Sequence, residues 1–463
     1  MGDFKYQVSF YNLFDYVGVE KHLEKMAAKG WRLATIGKFF WIYRREEPAK
    51  VKYSVTYIPE VSQFDPKPLE KQRDMEAYCE EAGWKKVDNW MQMQIFCSEN
   101  SDAVPIETDE SLRLETIHKS MKKNMLISHS LLLLVYLMNA FTLFNGAKYD
   151  WLSFFSNDNR LWLAGLWLCG TFGVLFDVGY YFYWYRKAKK MVRNEQECPE
   201  PRLYRPVMRI FIILLGALFI GLMSSYNKTM AFDMIVYLAG LLAVIMLVRV
   251  LQEKIKKWGC SKGINAAFTV VVCVILSFVL VGGTTMFSMV TWNREKKPVR
   301  IGSFEVGDID YAIFYDRIPL YVQDFSKEPY VEDSTRTVRE IESILMSTGQ
   351  YSQTVFIQGE EVERVTGLDY KVITVKANFM YDFALKCFWN QKFIFSEEGE
   401  KEKTEYRAVY ESDAGTMYRE YYDGLPVATE WLVLTENKII PMTIFLNDLS
   451  EEQMKIIIET FAE

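Results

Sequence analysis

The sequence has few of the residues, and none of the motifs, that identify a reaction. The only histidines among the 463 residues are His22, His118 and His129, and none has a partner at the spacing of a metal site. The nucleophile motif of serine hydrolases, the phosphate-binding loop and the dinucleotide fingerprint are also absent. We therefore expect no catalytic residue, no metal and no cofactor, and a protein that is not an enzyme.

Charge and cysteine exclude two further classes of protein. Basic residues number 54 against 60 acidic ones, a net charge of -6, whereas general nucleic-acid binders usually carry a basic face. The seven cysteines form no Cys-x-x-Cys pair, and only Cys387 lies beyond residue 297. A nucleic-acid partner and a disulfide framework in the C-terminal region are therefore not expected.

What the sequence does contain is long apolar runs in the middle of the chain. A helix needs roughly 20 residues to cross about 30 Å of hydrocarbon, and five runs reach or approach that length. They predict five transmembrane helices, and hence the lipid bilayer as a partner, within residues 125–290: Met125–Asn145, Leu161–Trp184, Val207–Ser225, Ala231–Val250 and Ile264–Val290. Residues 1–10 lack the apolar core of a cleavable signal peptide, so these runs are expected to direct targeting.

Basic residues around the runs predict the orientation. Lys and Arg cluster before the first run, between the second and third, and after the fourth, and short segments of this kind are retained in the cytoplasm. We therefore expect a multi-pass plasma-membrane protein with a cytoplasmic N-terminus and an extracytoplasmic C-terminus. Arg294, Lys296, Lys297 and Arg300 lie on the expected outer side, but long translocated domains largely ignore the charge rule.

Residues 1–100 contain a weak internal repeat. When the sequence is shifted by 53 positions, Gly30-Trp31 aligns with Gly83-Trp84, and both halves predict a helix that ends at glycine and is followed by two strands. This indicates a cytosolic α+β domain. Trp31 and Trp84 are candidate interaction residues because Trp is enriched at binding hot spots, although burial at a helix–sheet junction is the alternative. Residues 101–124 predict a linker and a juxtamembrane helix whose lysines face lipid.

The N-terminal sequence resembles a known but uncharacterised family. FKYQVSFYNLFDYVGVEKHLEKMAAKGWRL and YCEEAGWKKV are similar to membrane proteins of Gram-positive bacteria whose cytosolic domain has no known function. The resemblance covers roughly residues 3–125 and extends loosely into the membrane region. It implies genes next to PadR-type regulators and regulated expression, and it supplies no site residues.

Asp177 is the acidic residue deepest inside an apolar run. A carboxylate at the centre of a membrane helix costs something like 2.5–3.5 kcal/mol, so it usually marks a pathway or a partner. Asp177 is therefore the candidate intramembrane functional residue. It lies about 10 Å of helix before Trp184, in a stretch whose aromatic residues resemble an interfacial belt: Tyr180, Tyr181, Tyr183 and Trp184. An interfacial or helix-pairing role is therefore the alternative to a transport or proton-relay role.

Residues 297–463 predict an extracytoplasmic α+β domain. Asp333-Ser334 is expected to cap a helix closed by Gly349, Asp423-Gly424 predicts a hairpin, and Ser450 with Gln453 predicts a capping box. A short strand is also expected at Lys392–Phe395.

The fold class is thus a five-helix transmembrane region between two α+β domains. We expect a regulatory or sensory protein, in which residues 1–124 bind a cytosolic protein and the outer domain meets an extracytoplasmic ligand or protein. The alternative is an accessory or permease-like membrane subunit that acts through its transmembrane helices.

Overall fold

The computed structural model describes residues 3–276 apart from 38–39, 63, 67, 101 and 226–227, and residues 301–462 apart from 307–308, 328–330, 358–363, 393–403 and 446–447. The chain forms two compact units. One contains the residues up to Ala140 and those from Gly165 into the last apolar run. The other contains Phe141–Ala164 and the C-terminal region. The two units are described separately.

The N-terminal part of the first unit consists of two halves with the same order of elements. The first half is β1, α1, β2 and β3, and the second is β4, α2, β5 and β6. In both, the first strand pairs antiparallel with the last, which pairs with the middle one. The bounds are Phe4–Val8, Tyr16–Ala27, Trp31–Thr35, Phe40–Arg45, Lys52–Tyr57, Glu70–Glu81, Lys85–Trp90 and Met93–Ser98.

Glycine ends the helix of each half. Gly30 and Gly83 have φ values of +78° and +83°, the left-handed conformation that a residue without Cβ adopts most easily. The halves join where Asp88 accepts a hydrogen bond from the backbone N–H of Ile36 at 2.8 Å. Helix α1 serves both halves, because it contacts β2 and β4 and its Glu20 carboxylate accepts from the N–H of Val55 at 2.8 Å.

Four helices among the described residues are long and apolar enough to cross a membrane. Helix α3 (Glu110–Met121) continues through a π-helical turn, Lys122–Leu126, into α4 (Ile127–Tyr149). Three further long helices are α6 (Asp158–Arg193), α7 (Tyr204–Ser225) and α8 (Lys228–Lys257). The first four predicted spans are therefore found as helices. Of the predicted fifth, the described part is the shorter apolar helix α9 (Lys262–Leu276), and the remainder lies outside the described residues.

The first unit has one core that runs from the β-sheets into the helices. Val19 of α1, Tyr43 of β3, Ile117 of α3 and Tyr181 of α6 are fully buried in a single apolar cluster. The boundary expected near residue 100 therefore does not separate two cores. The predicted juxtamembrane segment also contacts the N-terminal domain. Its Lys123 donates to the backbone oxygen of Pro59 at 2.9 Å and does not simply face lipid.

The second unit is built on a seven-stranded antiparallel sheet, in the order β12-β13-β14-β15-β11-β10-β9. One face packs against α10 and α12, and the other against α5 and α11. The strand bounds are Glu332–Glu342, Met346–Ile357, Arg364–Val375, Thr404–Ser412, Gly415–Tyr422, Leu425–Leu434 and Lys438–Ile444. A hairpin, β7 (Gly302–Val306) and β8 (Ile309–Ile313), precedes them, and the helices are α5 (Trp151–Phe155), α10 (Val322–Phe325), α11 (Tyr381–Lys392) and α12 (Glu451–Ala462).

One expectation for the C-terminal region is wrong and two are confirmed. The segment predicted as a helix after Asp333-Ser334 forms β9 and the start of β10, because β-branched residues pair along the sheet edge and Gly349 lies inside a strand. Of the strand expected at Lys392–Phe395, Lys392 is the last residue of α11, and the remaining residues lie outside the described part of the chain. Asp423 and Gly424 both have positive φ in the β13–β14 turn, and Ser450 and Gln453 exchange the hydrogen bonds of a capping box.

Candidate functional site

Asp177 is buried in α6 and is the centre of a hydrogen-bonded network that joins four segments of the first unit. Its Oδ1 accepts from Asn12 Nδ2 at 3.0 Å and from the hydroxyl of Tyr204, on α7, at 2.9 Å. Its Oδ2 lies 2.7 Å from Nε2 of His129, on α4. Asn12 Nδ2 also donates to the Tyr204 hydroxyl at 2.8 Å, so the polar atoms form a closed cluster. We call these four residues the Asp177 network.

The hydrogen bonds of His129 determine how many protons the network holds. Nδ1 lies 2.8 Å from the carbonyl oxygen of Met125, which can only accept, so Nδ1 carries a proton. The 2.7 Å contact between Nε2 and the carboxylate of Asp177 then requires one more proton between those two atoms. The pair is either imidazolium with carboxylate or imidazole with carboxylic acid. Both arrangements are neutral overall, which lowers the cost of placing the pair in an apolar surrounding.

The loop between β1 and α1, residues 9–15, brings Asn12 to the helices. Phe14 of this loop is completely buried, with its ring centroid 5.1 Å from that of Trp184, 5.3 Å from that of Tyr204 and 5.6 Å from that of Tyr181. The aromatic residues expected to form a belt at the lipid–water boundary thus include two, Tyr181 and Trp184, that are buried against the N-terminal domain. An internal interface explains their aromatic character as well as a lipid interface would.

A second charged group fixes the end of the same loop. Asp15 is fully buried, caps α1 by accepting from the N–H of Gly18 at 3.1 Å, and lies 3.2 Å from the guanidinium Nε of Arg205. Arg205 also contacts Glu200 at 2.6 Å. Burial raises the pKa of the Asp15 carboxyl to about 7, although the charge of Arg205 opposes this shift. The loop is therefore held by both apolar and ionic contacts.

A cavity of about 320 Å³ lies beside the Asp177 network. Its wall is formed by α4, α6, α7 and the β1–α1 loop, and the turn between β5 and β6 also contributes. Gly170 and Gly173 leave space on the α6 side of the cavity. A Cβ at Gly170 would lie 2.6 Å from the Tyr136 ring, and one at Gly173 would lie 3.8 Å from Phe211. The volume is within the range of small-molecule sites.

The sequence indicated one member of this site and missed most of the rest. Asp177 lies at its centre, and His129, which the sequence places near the start of a span, is its partner. Asn12 was not predicted, because it belongs to a different domain in the linear order, and Tyr204 precedes the predicted third span. The sequence signal was a lone Asn between aromatic residues in FYNLFD, which has no periodic pattern of its own.

The two tryptophan candidates lie apart from this network. Trp84 is buried and donates from Nε1 to the carbonyl oxygen of Val104 at 2.9 Å, in a small apolar cluster with Cys79 and Phe96. Trp31 is partly exposed at the start of β2, and Lys5 Nζ lies 5.7 Å from its ring centroid. Among the described residues, no group of three His, Cys, Asp or Glu side chains is placed to hold a metal.

Comparison with known proteins gives one match. Residues 15–130 match the model of a family described as a protein of unknown function (DUF2812), which agrees with the resemblance to an uncharacterised family. The matched residues are about a quarter of the chain, extending from Asp15 to just beyond His129. No curated protein and no solved structure matches the chain. The Gram-positive origin and the association with PadR-type regulators stay predictions.

Proposed function

We propose that this protein is a regulatory or sensory protein of the plasma membrane, with its N-terminal domain in the cytoplasm. The observation that carries the proposal is the Asp177 network, in which a loop of the N-terminal domain and three apolar helices share one set of hydrogen bonds. A change in the spacing of α4, α6 or α7 breaks at least one of these bonds. Because they are buried, the loop must then move or leave polar atoms unpaired.

The connection to the other unit is covalent. Helices α4 and α6 carry His129 and Asp177, and the segment that joins them contains α5, whose Leu152 is buried in the core of the C-terminal unit. Ser343 of that unit donates to the carbonyl oxygen of Phe155 at 2.5 Å. A ligand or protein that rearranges this core would act on the two helices whose side chains meet at Asp177.

An exposed face of the first β-sheet is suited to a cytosolic protein partner. Phe4, Tyr6 and Val8 of β1 project outward together with Phe40 of β3, and each is more than half exposed. Exposed apolar patches of this kind on one strand of a sheet commonly mark interaction surfaces. Strand β1 also lies at the edge of its sheet, where its outer backbone groups are available for pairing.

The proposal is tested by photo-crosslinking in cells that express the full-length protein. A photoreactive amino acid at Tyr6, which is 72% exposed, is expected to capture a cytosolic protein, and the same probe at Tyr78, 69% exposed on α2, serves as the control. Asp177→Asn, which disturbs the network but not the probe position, should change the yield at Tyr6 severalfold. An unchanged yield at Tyr6 in a normally folded Asp177→Asn protein would contradict the coupling.

The permease-like alternative is favoured by a different observation, the cavity next to the network. In that case the transmembrane helices carry out the function, and the N-terminal domain only supports them. Asn12→Ala distinguishes the two, because it removes the contribution of the domain to the network and leaves His129 paired with Asp177. Loss of crosslinking with unchanged uptake or export of solutes supports the regulatory role, and the reverse supports the permease-like role.

A further inference from the structure

The cavity beside the Asp177 network has an uneven distribution of chemistry. Its walls are aliphatic and aromatic, with Leu132, Val174 and Leu215 along the helices, whereas its hydrogen-bonding side chains gather around Asp177. Such a shape fits a molecule with an apolar body and one polar head. The position of a charged head is fixed by the carboxylate, because Leu132, Val174 and Leu215 along the helices offer nothing to a charged group.

The sign of charge on that head follows from the lining. The described residues that form the cavity include Asp177 and six aromatic side chains but no Lys or Arg: Phe10, Tyr11, Trp90, Tyr136, Tyr204 and Phe211. Aromatic faces attract organic cations, most strongly where water is excluded, and a buried carboxylate repels an anion. We propose that the cavity binds a hydrophobic organic cation, with its ammonium group at the carboxylate of Asp177.

Binding of a cation changes the partner of the carboxylate. The ammonium takes the place of Nε2 of His129 at Oδ2, while Nδ1 of His129 keeps its bond to Met125. The carboxylate is therefore paired both without and with the ligand. The neighbouring titratable groups are Tyr204 of α7 and Tyr11 of the loop, with Asp15 behind them. Two arginines lie outside the lining but face its rings: Arg205 is 4.8 Å from the ring centroid of Tyr11, and Arg209 is 5.9 Å from that of Phe10.

The test is calorimetry on the full-length protein in lipid nanodiscs, with empty nanodiscs subtracted. The probes are benzyltrimethylammonium, the anion benzylsulfonate and neutral 2-phenylethanol, which have similar size. The cation is expected to bind at least about tenfold more tightly than the other two. Equal binding of the three probes would overturn the proposal.

Two variants separate charge recognition from the shape of the cavity. Asp177→Asn should weaken binding of the cation about tenfold and leave 2-phenylethanol unchanged. Gly173→Leu fills the cavity and should weaken all binding, whereas Gly179→Leu, an exposed position on the same helix with no atom within 4 Å of its Cβ, should have no effect. If Asp177→Asn does not fold, Gly173→Leu with its control still decides the location.

Ligand binding does not depend on the proposed regulatory role. Calorimetry in nanodiscs measures the ligand without a cytosolic partner, and crosslinking at Tyr6 measures the partner without an added ligand. If the cation binds in nanodiscs but the crosslinking yield at Tyr6 is the same in wild type and in Asp177→Asn, the regulatory role alone is contradicted. Wild-type binding without charge preference contradicts the cation site alone.

Discussion

The two halves of the N-terminal domain share one topology but attach to the helices in different ways. In the first half the β1–α1 loop inserts Phe14 into the helices and joins Asn12 to Asp177. In the second half the corresponding loop between β4 and α2 offers mainly backbone oxygens: Pro59 accepts from Lys123, and Phe64 accepts from Asn265 of α9. The shared fold places one loop of each half against the helices, and the side chains of each loop determine how strongly that loop is held.

The two sheets also differ in how far the corresponding face is buried. Ile42 and Ile95 occupy equivalent positions, yet Ile95 is fully buried in the main core while Ile42 remains partly exposed on the face that carries Tyr6. Helices α1 and α3 cover the second sheet at this face. A duplicated fold thus keeps its hydrogen-bonding pattern while one copy becomes internal and the other keeps a surface free for a partner.

The difference between the two loops is tested most directly by replacing Phe14, the buried aromatic residue of the first loop. Phe14→Ala is expected to cost about 3–5 kcal/mol of unfolding free energy, since a fully buried ring is removed from a packed cluster. Phe64→Ala, in the second loop, should cost only about 1 kcal/mol because that ring is not fully buried. Chemical unfolding of both variants in bicelles measures the difference. Similar losses would show that the two loops are equivalent anchors.

The first half should also dominate the pH dependence of stability. Burial raises the pKa of Asp15 and of Glu20 to about 7 in the folded protein, above the ordinary values that both regain on unfolding. Their contribution is present at low pH and is lost as pH rises through about 7. Between pH 5 and 8 the wild type should lose about 2–3 kcal/mol for each group.

Asp15→Asn and Glu20→Gln preserve the helix cap and the hydrogen bond to Val55 while removing the titration. The double variant is expected to show a much flatter profile when unfolding is followed across the same pH range. A profile as steep as that of the wild type would assign the pH dependence to other groups.

The two glycine caps give a matched comparison of the halves. Gly30→Ala and Gly83→Ala both place a side chain at positive φ, which costs about 1 kcal/mol. At Gly30 the new Cβ would also lie 2.7 Å from the backbone oxygen of Glu46, whereas nothing lies within 4 Å at Gly83. We expect roughly 2–3 kcal/mol for Gly30→Ala and about 1 kcal/mol for Gly83→Ala, measured as shifts in unfolding free energy. Equal shifts would mean that the strand after Gly30 adjusts freely.

The last pair of variants concerns the contacts of α9 with the second loop. Asn265→Ala leaves the carbonyl oxygen of Phe64 without its buried donor and should cost about 1–2 kcal/mol. Lys262→Ala removes a 3.6 Å ion pair with Asp65 in which the Lys side chain is half-exposed, so its cost should be below about 1 kcal/mol. Differential scanning fluorimetry ranks the two. A larger effect at Lys262 would reveal an ionic anchor comparable to that of Arg205.

Much of the architecture is readable from the sequence because it depends on local patterns. Apolar length gives four helices, Gly30 and Gly83 mark the repeat, and Asp423-Gly424 marks a hairpin. The mistaken helix at β9 has a different cause. Val338, Ile341 and Leu345 have helical spacing, yet Val338 and Ile341 lie in the edge strand β9, and Leu345 lies in the turn before β10. Only pairing with β10 decides between the two structures.

The candidate site shows a similar limit. Asp177 could be selected because a carboxylate within an apolar run is rare and costly, which is a property of one residue in its own segment. Its partners come from three other segments, and Asn12 is separated from it by 165 positions. No local pattern reports such a contact. The burial of Tyr181 was likewise hidden, since an aromatic residue near the end of a span is expected at either a lipid or a protein surface.

The shared core of the first unit has a consequence for how the protein is made. The N-terminal domain leaves the ribosome first, but Phe14 acquires its aromatic neighbours only when residues 181–204 have been synthesised and the helices that bear them have inserted. At translation rates of about 5–20 residues per second, this delay is roughly 10–40 seconds. During that interval the domain exposes an aromatic loop without its binding pocket, so membrane insertion and completion of the N-terminal fold are steps of one assembly process.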